Sequence, residues 1–406
     1  MLTLEGAFRD ISSANWDYLI EAAERELTGT AGSHIDVCIL PADFQTAAGQ
    51  AKLLKYHGCA AQAVANSATH RHLLIARTPQ IAQYRVNGDY AVMRNHLVTT
   101  IQQRCTLMIG FSAQDTDVRD IFVDGVTPSQ WDWAAQPKPF LFAEDALHAG
   151  QRTVLQVAYR GDFNPNRFAI EAEACVRAYA KPLLMALLMS VMELKIAALV
   201  NLGVPMIFNG GDRKLLEIGL RKLRSGAAIA AEPDRLLFIR ALIDTLRRGL
   251  GLFHNGDTTN ATYIPISSTP LQQVGAIPGP TGLRQAAVAL SLLGCGAEDG
   301  SWSVSAGPVG AAPLLIDQAG RVTRVFMAAN DQVASEMMRN GHIDPDANDA
   351  LLLLSASPAA RQTRSPDPAF GRTGKIKLRE ICMTSLVAGA TDGPGLLDDF
   401  KRSASL

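Results

Sequence analysis

Short apolar runs that stop at turn-forming residues, alternating with helix-patterned segments, constrain the first third of this chain more than any other feature. Ala7–Ser13, Ile35–Leu40, Ala51–Tyr56, His72–Ala76 and Cys105–Gly110 have the length and composition of strands. Pro41, the His57-Gly58 pair and Phe111-Ser112 close three of them. Between the runs lie segments with apolar residues three and four apart. Trp16–Leu27 puts Leu19, Ile20, Ala23 and Leu27 on one face. Asp89–Arg104 aligns Val92, Met93, His96, Leu97, Thr100 and Ile101. A further helix runs from about Gln114 to Phe122. Strands that alternate with helices are covered on both faces, so the pattern predicts a parallel, doubly wound α/β sheet. Ligands of such sheets bind beyond the carboxyl ends of the strands.

The remainder reads differently. Asp124–Lys138 collects Gly, Pro, Ser, Gln and two tryptophans, the composition of an exposed connection or of the start of a second domain. The expected division is therefore residues 1–125, a linker over 126–150, and a C-terminal α+β region over 151–406. Within that region, Arg152–Tyr159 reads as a strand, and Asn166–Leu202 as a long helix kinked at Pro182. Arg213–Gly226, Pro233–Leu250 and Gln285–Leu293 read as helices, with a loop-rich stretch over Thr258–Gly282. Trp302–Ala306, Val322–Ala328, Leu351–Ser355 and Lys375–Cys382 read as short strands. The last dozen residues read as a frayed tail.

Bulk properties exclude several classes. A length of 406 residues suggests two domains. Lys plus Arg is 38 and Asp plus Glu is 39, so charge provides no drive toward nucleic acid or acidic lipid. The six cysteines, Cys38, Cys59, Cys105, Cys175, Cys295 and Cys382, form no CxxC pair, which argues against a cysteine-rich zinc site and for reduced thiols in the cytoplasm. Leu183–Met192 and Ile196–Phe208 are strongly apolar, but Glu193 and Lys195 separate them. The expectation is a core helix and no membrane span.

Three short polar signals stand where strands end. In Ser12-Ser13-Ala14-Asn15-Trp16-Asp17, a turn presents Asn15 and Asp17 two residues apart. An Asn amide both donates and accepts, which suits a ribose hydroxyl or a carboxamide. Asp17 can equally cap the following helix. In Lys55-Tyr56-His57-Gly58, a histidine ends an apolar strand, a position for a general base near neutral pH or for a ring that merely satisfies a backbone group. Gly58 lets a ligand or a turn approach closely. In Ile109-Gly110-Phe111-Ser112 followed by Asp115, a small nucleotide-edge site and a simple helix cap both fit.

Taken in order, the N-x-D turn, the HG after a strand and the G-aromatic-S with a following Asp resemble the bacterial branch of the SIR2-like, sirtuin-related family over roughly residues 7–123. The resemblance implies a partial Rossmann-like parallel sheet, followed by a helical and small β-rich C-terminal region. It implies NAD as substrate and no metal. By resemblance, Asn15 holds the nicotinamide ribose and helps place the attacking group. Asp17 lies near the carboxamide, and His57 is the general base at the ribose. Gly110, Ser112 and Asp115 line the adenosine side.

Two departures qualify this. Sirtuin deacylases carry a four-cysteine zinc module that this chain lacks, which favours NAD hydrolysis over protein deacylation. The family opens with a glycine-rich phosphate loop, whereas Met1-Leu2-Thr3-Leu4-Glu5-Gly6 has none, so that loop is expected upstream of Met1 or lost. The leading expectation is an NAD+ hydrolase of the SIR2-like antiphage type. Its alternative is a non-catalytic binding or assembly protein with a degenerate SIR2-like domain. By analogy, residues 151–406 sense a trigger, form a homo-oligomer or bind a partner protein. Asp344, Asp346 and Asp349 lack the glycine and distal Glu of a calcium loop, and Asn209-Gly210-Gly211 lacks the Lys-Ser/Thr of a phosphate loop.

Overall fold

Among the described residues of 8–187, six short strands are all paired in parallel. In the computed structural model the chain forms two units, Phe8–Leu187, and Met1–Ala7 together with Leu188–Leu406. The described residues are 1–30, 32, 34–47, 49–114, 116–128, 131–230, 233–255, 262–270, 281–305, 313–344, 346–355 and 378–406.

Along the first unit run β1 (Asp10–Ser13), α1 (Leu19–Thr28), β2 (Ile35–Cys38), α2 (Pro41–Thr46), β3 (Ala51–Lys55), α3 (Ala60–Ala65) and α4 (Ser67–His70). Then follow α5 (Thr78–Gln83), α6 (Ala91–Gln103), β4 (Thr106–Ile109), α7 (Thr116–Val126), β5 (Phe140–Ala143), α8 (Ala149–Tyr159), α9 (Phe163–Ala174), β6 (Cys175–Val176) and the start of α10 (Ala180–Gly203), which continues into the second unit. The strands form two three-stranded sheets, β1-β3-β2 and β4-β5-β6. Both central strands are deeply buried, with Leu53, Leu54, Phe140 and Phe142 fully enclosed. Burial on both faces is what a parallel strand between helices requires. A single core joins the two sheets, running from Cys38 and Leu54 through Leu97 and Ile101 of α6 to Phe142 and Val154. The predicted α/β class with a partial parallel sheet is observed.

Several local expectations change. His72–Ala76 is no strand; a 3-10 turn occupies Arg71–Leu73. Arg152–Tyr159 is helical, because Val154, Leu155, Ala158 and Tyr159 bury one helical face rather than alternating. Asn166–Leu202 is not one helix: α9 and α10 are separated by β6. The stretch expected as a connection contains β5, flanked by buried Lys138, whose ammonium pairs with Glu173 at 2.6 Å.

The second unit continues with α11 (Gly210–Ala230), α12 (Arg235–Asn255), α13 (Thr281–Glu298), β7 (Trp302–Ser305), β8 (Leu314–Asp317) and β9 (Val322–Ala328). It closes with α14 (Asp331–Arg339), β10 (Ala350–Leu354), β11 (Arg379–Cys382), α15 (Met383–Gly389) and α16 (Gly393–Ala404). The sheet order is β11-β10-β9-β8-β7. β9, β10 and β11 are parallel, and β7 and β8 add an antiparallel hairpin. β10 is the unbroken apolar run ALLLL, buried at every position. The expected strand start at Lys375 lies outside the described residues; Arg379–Cys382 is the observed strand. The expected frayed tail is instead α16. Asp392 accepts the Gly395 N–H at 2.7 Å as its N-cap, and Leu396, Phe400 and Ala404 are fully buried four residues apart.

The longest helix, α10, is long and apolar enough by length and composition to cross a membrane, with a third of that window buried. Lys195, on this helix, is enclosed with Glu5 from the residue 1–7 segment at 2.8 Å. Glu5 also accepts from the Tyr263 hydroxyl and from the Ile266 N–H at 3.0 Å. Lys195 donates further to the carbonyls of Glu5 and Ser267. Every heteroatom of this buried pair is therefore satisfied, as a buried charge requires.

Candidate functional site

The candidate residues sit past the carboxyl ends of β1 and β3, which are register neighbours: Ser13 lies opposite Lys55. Asn15 follows Ser13 by two residues, and His57 follows Lys55 by two. Both thus follow the carboxyl ends of adjacent parallel strands, where a doubly wound fold holds its ligands.

Asn15 is exposed, and its backbone N–H donates to Ser13 Oγ at 3.1 Å. Its side-chain amide has no hydrogen-bond partner among the described residues. Asp17 Oδ1 accepts the Leu19 N–H at 3.1 Å, so this carboxylate caps the first turn of α1. Trp16 and Tyr18 flank it in the open, at 39% and 53% exposure.

Lys55 fastens this turn to β3. Its buried ammonium lies 2.8 Å from Glu21 Oε1 on α1 and donates to the Asp17 carbonyl. A second tie runs from the Ala60 N–H to the Trp16 carbonyl at 2.9 Å. The ends of β1 and β3 thus behave as one polar platform rather than as two loose loops.

His57 is buried, and its Nε2 lies 2.8 Å from Asp117 Oδ2 in the first turn of α7. Tyr56 packs edge-on to the imidazole with ring centroids 4.7 Å apart, and Tyr84 stands at 6.3 Å. Burial, reinforced by Tyr56 and Asp117, pushes the Tyr84 phenol far above its ordinary range, so it stays protonated. Its hydroxyl and Asp117 Oδ1 are both sealed without a hydrogen-bond partner. Gly58 has φ +86°, and a Cβ there would meet the Leu73 carbonyl at 2.8 Å. The tight turn, closed by the Gly58 N–H to the Lys55 carbonyl at 3.0 Å, demands this glycine.

The third signal opens the loop into α7. Gly110 is exposed with φ +64°, and Ser112 is half-buried with no hydrogen-bond partner among the described residues. Ser112 does not cap α7, which begins at Thr116. Gln151 of α8 holds the loop from behind, donating to the Phe111 carbonyl at 2.6 Å. Asp115 lies outside the described residues. The structure records no direct contact between Asn15 and His57, or of either with Gly110 or Ser112. What links the three signals is Lys55 between the first two and Asp117 between the last two.

Sequence reasoning assigned no role to Lys55, Glu21, Asp117 or Gln151. An acidic residue in the first turn of the helix after the third signal was a usable clue for Asp117. A cavity of about 320 Å³ bordered by Cys105, Lys138, Leu141 and Glu173 lies at the other end of the sheet, where β4 and β5 begin. It carries none of these groups. Among the described residues, no group of three His, Cys, Asp or Glu side chains is placed to hold a metal ion.

Residues 9–159 match the family model described as the SIR2-like domain. Over that stretch the chain is similar to the SIR2-like family. The match runs from just before β1 to the end of α8 and includes every candidate residue. No curated protein and no solved structure matches the chain. SIR2-like domains use NAD as substrate.

Proposed function

We propose that the SIR2-like domain hydrolyses NAD+ to nicotinamide and ADP-ribose, with Asn15 and His57 as its catalytic residues. The observation that carries this reading is the pairing of an exposed, unpartnered Asn15 amide with a buried, carboxylate-bound His57 above adjacent parallel strands. Asn15 holds the nicotinamide ribose and a water beside C1′. As the C1′–N bond breaks, its electron pair leaves with nicotinamide, and positive charge develops on the ribose. Water oxygen bonds to C1′ and yields its proton to His57. Acid–base assistance of this kind contributes about 10²–10⁴-fold. Gly110 and Ser112 contact the adenosine side, and Asp17 stands near the carboxamide while capping α1.

The biological setting we propose is depletion of cellular NAD as an antiphage response in the cytoplasm. Residues 151–406 then serve as a sensing or assembly region. The G-aromatic-S signal of the bacterial branch supports this reading. Cells expressing the chain should lose NAD, and Asn15→Ala or His57→Ala should stop the loss. Equal depletion by both variants would show that the site lies elsewhere.

One observation favours a second reading, a binding or assembly protein. The segment just before β1 is committed to the other unit through the buried Glu5–Lys195 pair. Titration calorimetry with NAD separates the two. Micromolar binding counts against the second reading, and absence of binding supports it.

A further inference from the structure

The His57–Asp117 contact has more order than burial of a histidine needs. Asp117 is 1% exposed at its side chain, and His57 is its one hydrogen-bond partner among the described residues. An ionised carboxylate can only accept, so the shared hydrogen sits on His57 Nε2. In a neutral ring the lone pair then belongs to Nδ1. That nitrogen makes no hydrogen bond to a described residue, and it is not among the side-chain atoms sealed from solvent without a partner. The side chain keeps 9% of its surface accessible. Tyr56 and Tyr84 stand edge-on to the ring, and the Gly58 turn fixes the backbone behind it.

We propose that Asp117 is a positioning residue that holds His57 in the Nε2–H tautomer, so that Nδ1 is the atom that accepts the proton of the attacking water. This rests on the reading of His57 as the base for NAD hydrolysis. In the step, the water O–H bond breaks, its hydrogen bonds to Nδ1, and its oxygen bonds to C1′ as nicotinamide departs with the C1′–N pair. The resulting imidazolium carries hydrogens on both nitrogens and stays against the Asp117 carboxylate, which takes up no proton. The charge formed at His57 is thus met by a carboxylate already in place in a site shielded from water, where such an interaction is strong. Asp117 is held by the first turn of α7, whose free N–H groups favour negative charge. Strand end, helix start and imidazole are thereby fixed relative to one another. Of the three signals read in the sequence, the second supplies the base and the element following the third supplies what orients it.

The test uses the 406-residue chain labelled with 15N-histidine, with the His57 signals assigned by their loss in His57→Gln. The wild-type ring should show Nε2 protonated and Nδ1 bare when neutral. In the isosteric Asp117→Asn variant this tautomer should be lost or mixed, and kcat for nicotinamide release should fall about 10²–10⁴-fold with KM little changed. A wild-type ring carrying its hydrogen on Nδ1 overturns the proposal without any variant. So does an Asp117→Asn chain that keeps both the tautomer and kcat. A wild-type chain that releases no nicotinamide counts instead against NAD hydrolysis, while the tautomer still reports on Asp117 alone.

Discussion

Lys55 Nζ stands 2.8 Å from Glu21 Oε1 while donating to the Asp17 carbonyl, so one buried ammonium joins a strand end, a helix and the turn that carries Asn15. A lysine this deep is retained only when each of its hydrogens has a partner. Lys55→Met removes the partner of Glu21 and of the Asp17 carbonyl at once. The expected result is faster amide hydrogen exchange over residues 14–19 and a loss of about 1–3 kcal/mol in stability. Unchanged exchange in that turn would mean that Lys55 does not hold it.

The Gly58 turn makes a sharper demand. Gly58→Ala places a Cβ at 2.8 Å from the Leu73 carbonyl in a left-handed backbone conformation. A cost of about 1–2 kcal/mol is expected from the backbone alone, and denaturant titration measures it. Nicotinamide release should fall as well, because His57 precedes this glycine directly. A variant as stable and as active as the parent would show that the turn tolerates a side chain.

Much of this platform was legible beforehand. The runs Ala51–Tyr56 and Cys105–Gly110 were readable because a buried parallel strand shows as a short apolar stretch. That Asp117 would pair with His57 was not readable, because the two lie 60 residues apart and only folding brings them together. Helix α8 was misread because Thr153, Val154 and Val157 are β-branched, a strand-like composition that its helical burial pattern overrides. β5 was hidden among the prolines and tryptophans around it. For α16, Asp392, Pro394 and the Leu396–Phe400–Ala404 spacing form a capped amphipathic helix, a signal stronger than position at the chain end.

The buried Glu5–Lys195 pair should dominate the stability of its unit. Lys195→Met leaves Glu5 enclosed beside Tyr263 without its counter-charge. Breaking such a pair from one side costs about 3–5 kcal/mol. Thermal unfolding of the variant should show an early transition for the unit that contains residues 188–406. An unchanged transition would contradict the assignment of that pair as an anchor.

The cysteines give a pH-dependent test. Burial pushes the Cys295 thiol up to about 12 and the Cys38 thiol up to about 11, whereas Cys105 is exposed. Native alkylation at about pH 8.5 should label Cys105 and spare Cys38 and Cys295, as read by mass spectrometry. The sign of the linked stability follows. Above the ordinary thiol value of 9.0 the unfolded chain releases protons that the native thiols keep. These two sites therefore lower stability progressively between about pH 9 and 12. Rapid native labelling of Cys295 would contradict its enclosure.

The central claim concerns His57 and the bond it helps to break. The purified 406-residue chain is incubated with NAD+ labelled in the nicotinamide ring, and free nicotinamide is measured against the His57→Ala variant. The account predicts steady release of labelled nicotinamide with equal formation of ADP-ribose by the parent, and a fall of about 10²–10⁴-fold in the variant. Equal release by parent and variant would contradict it.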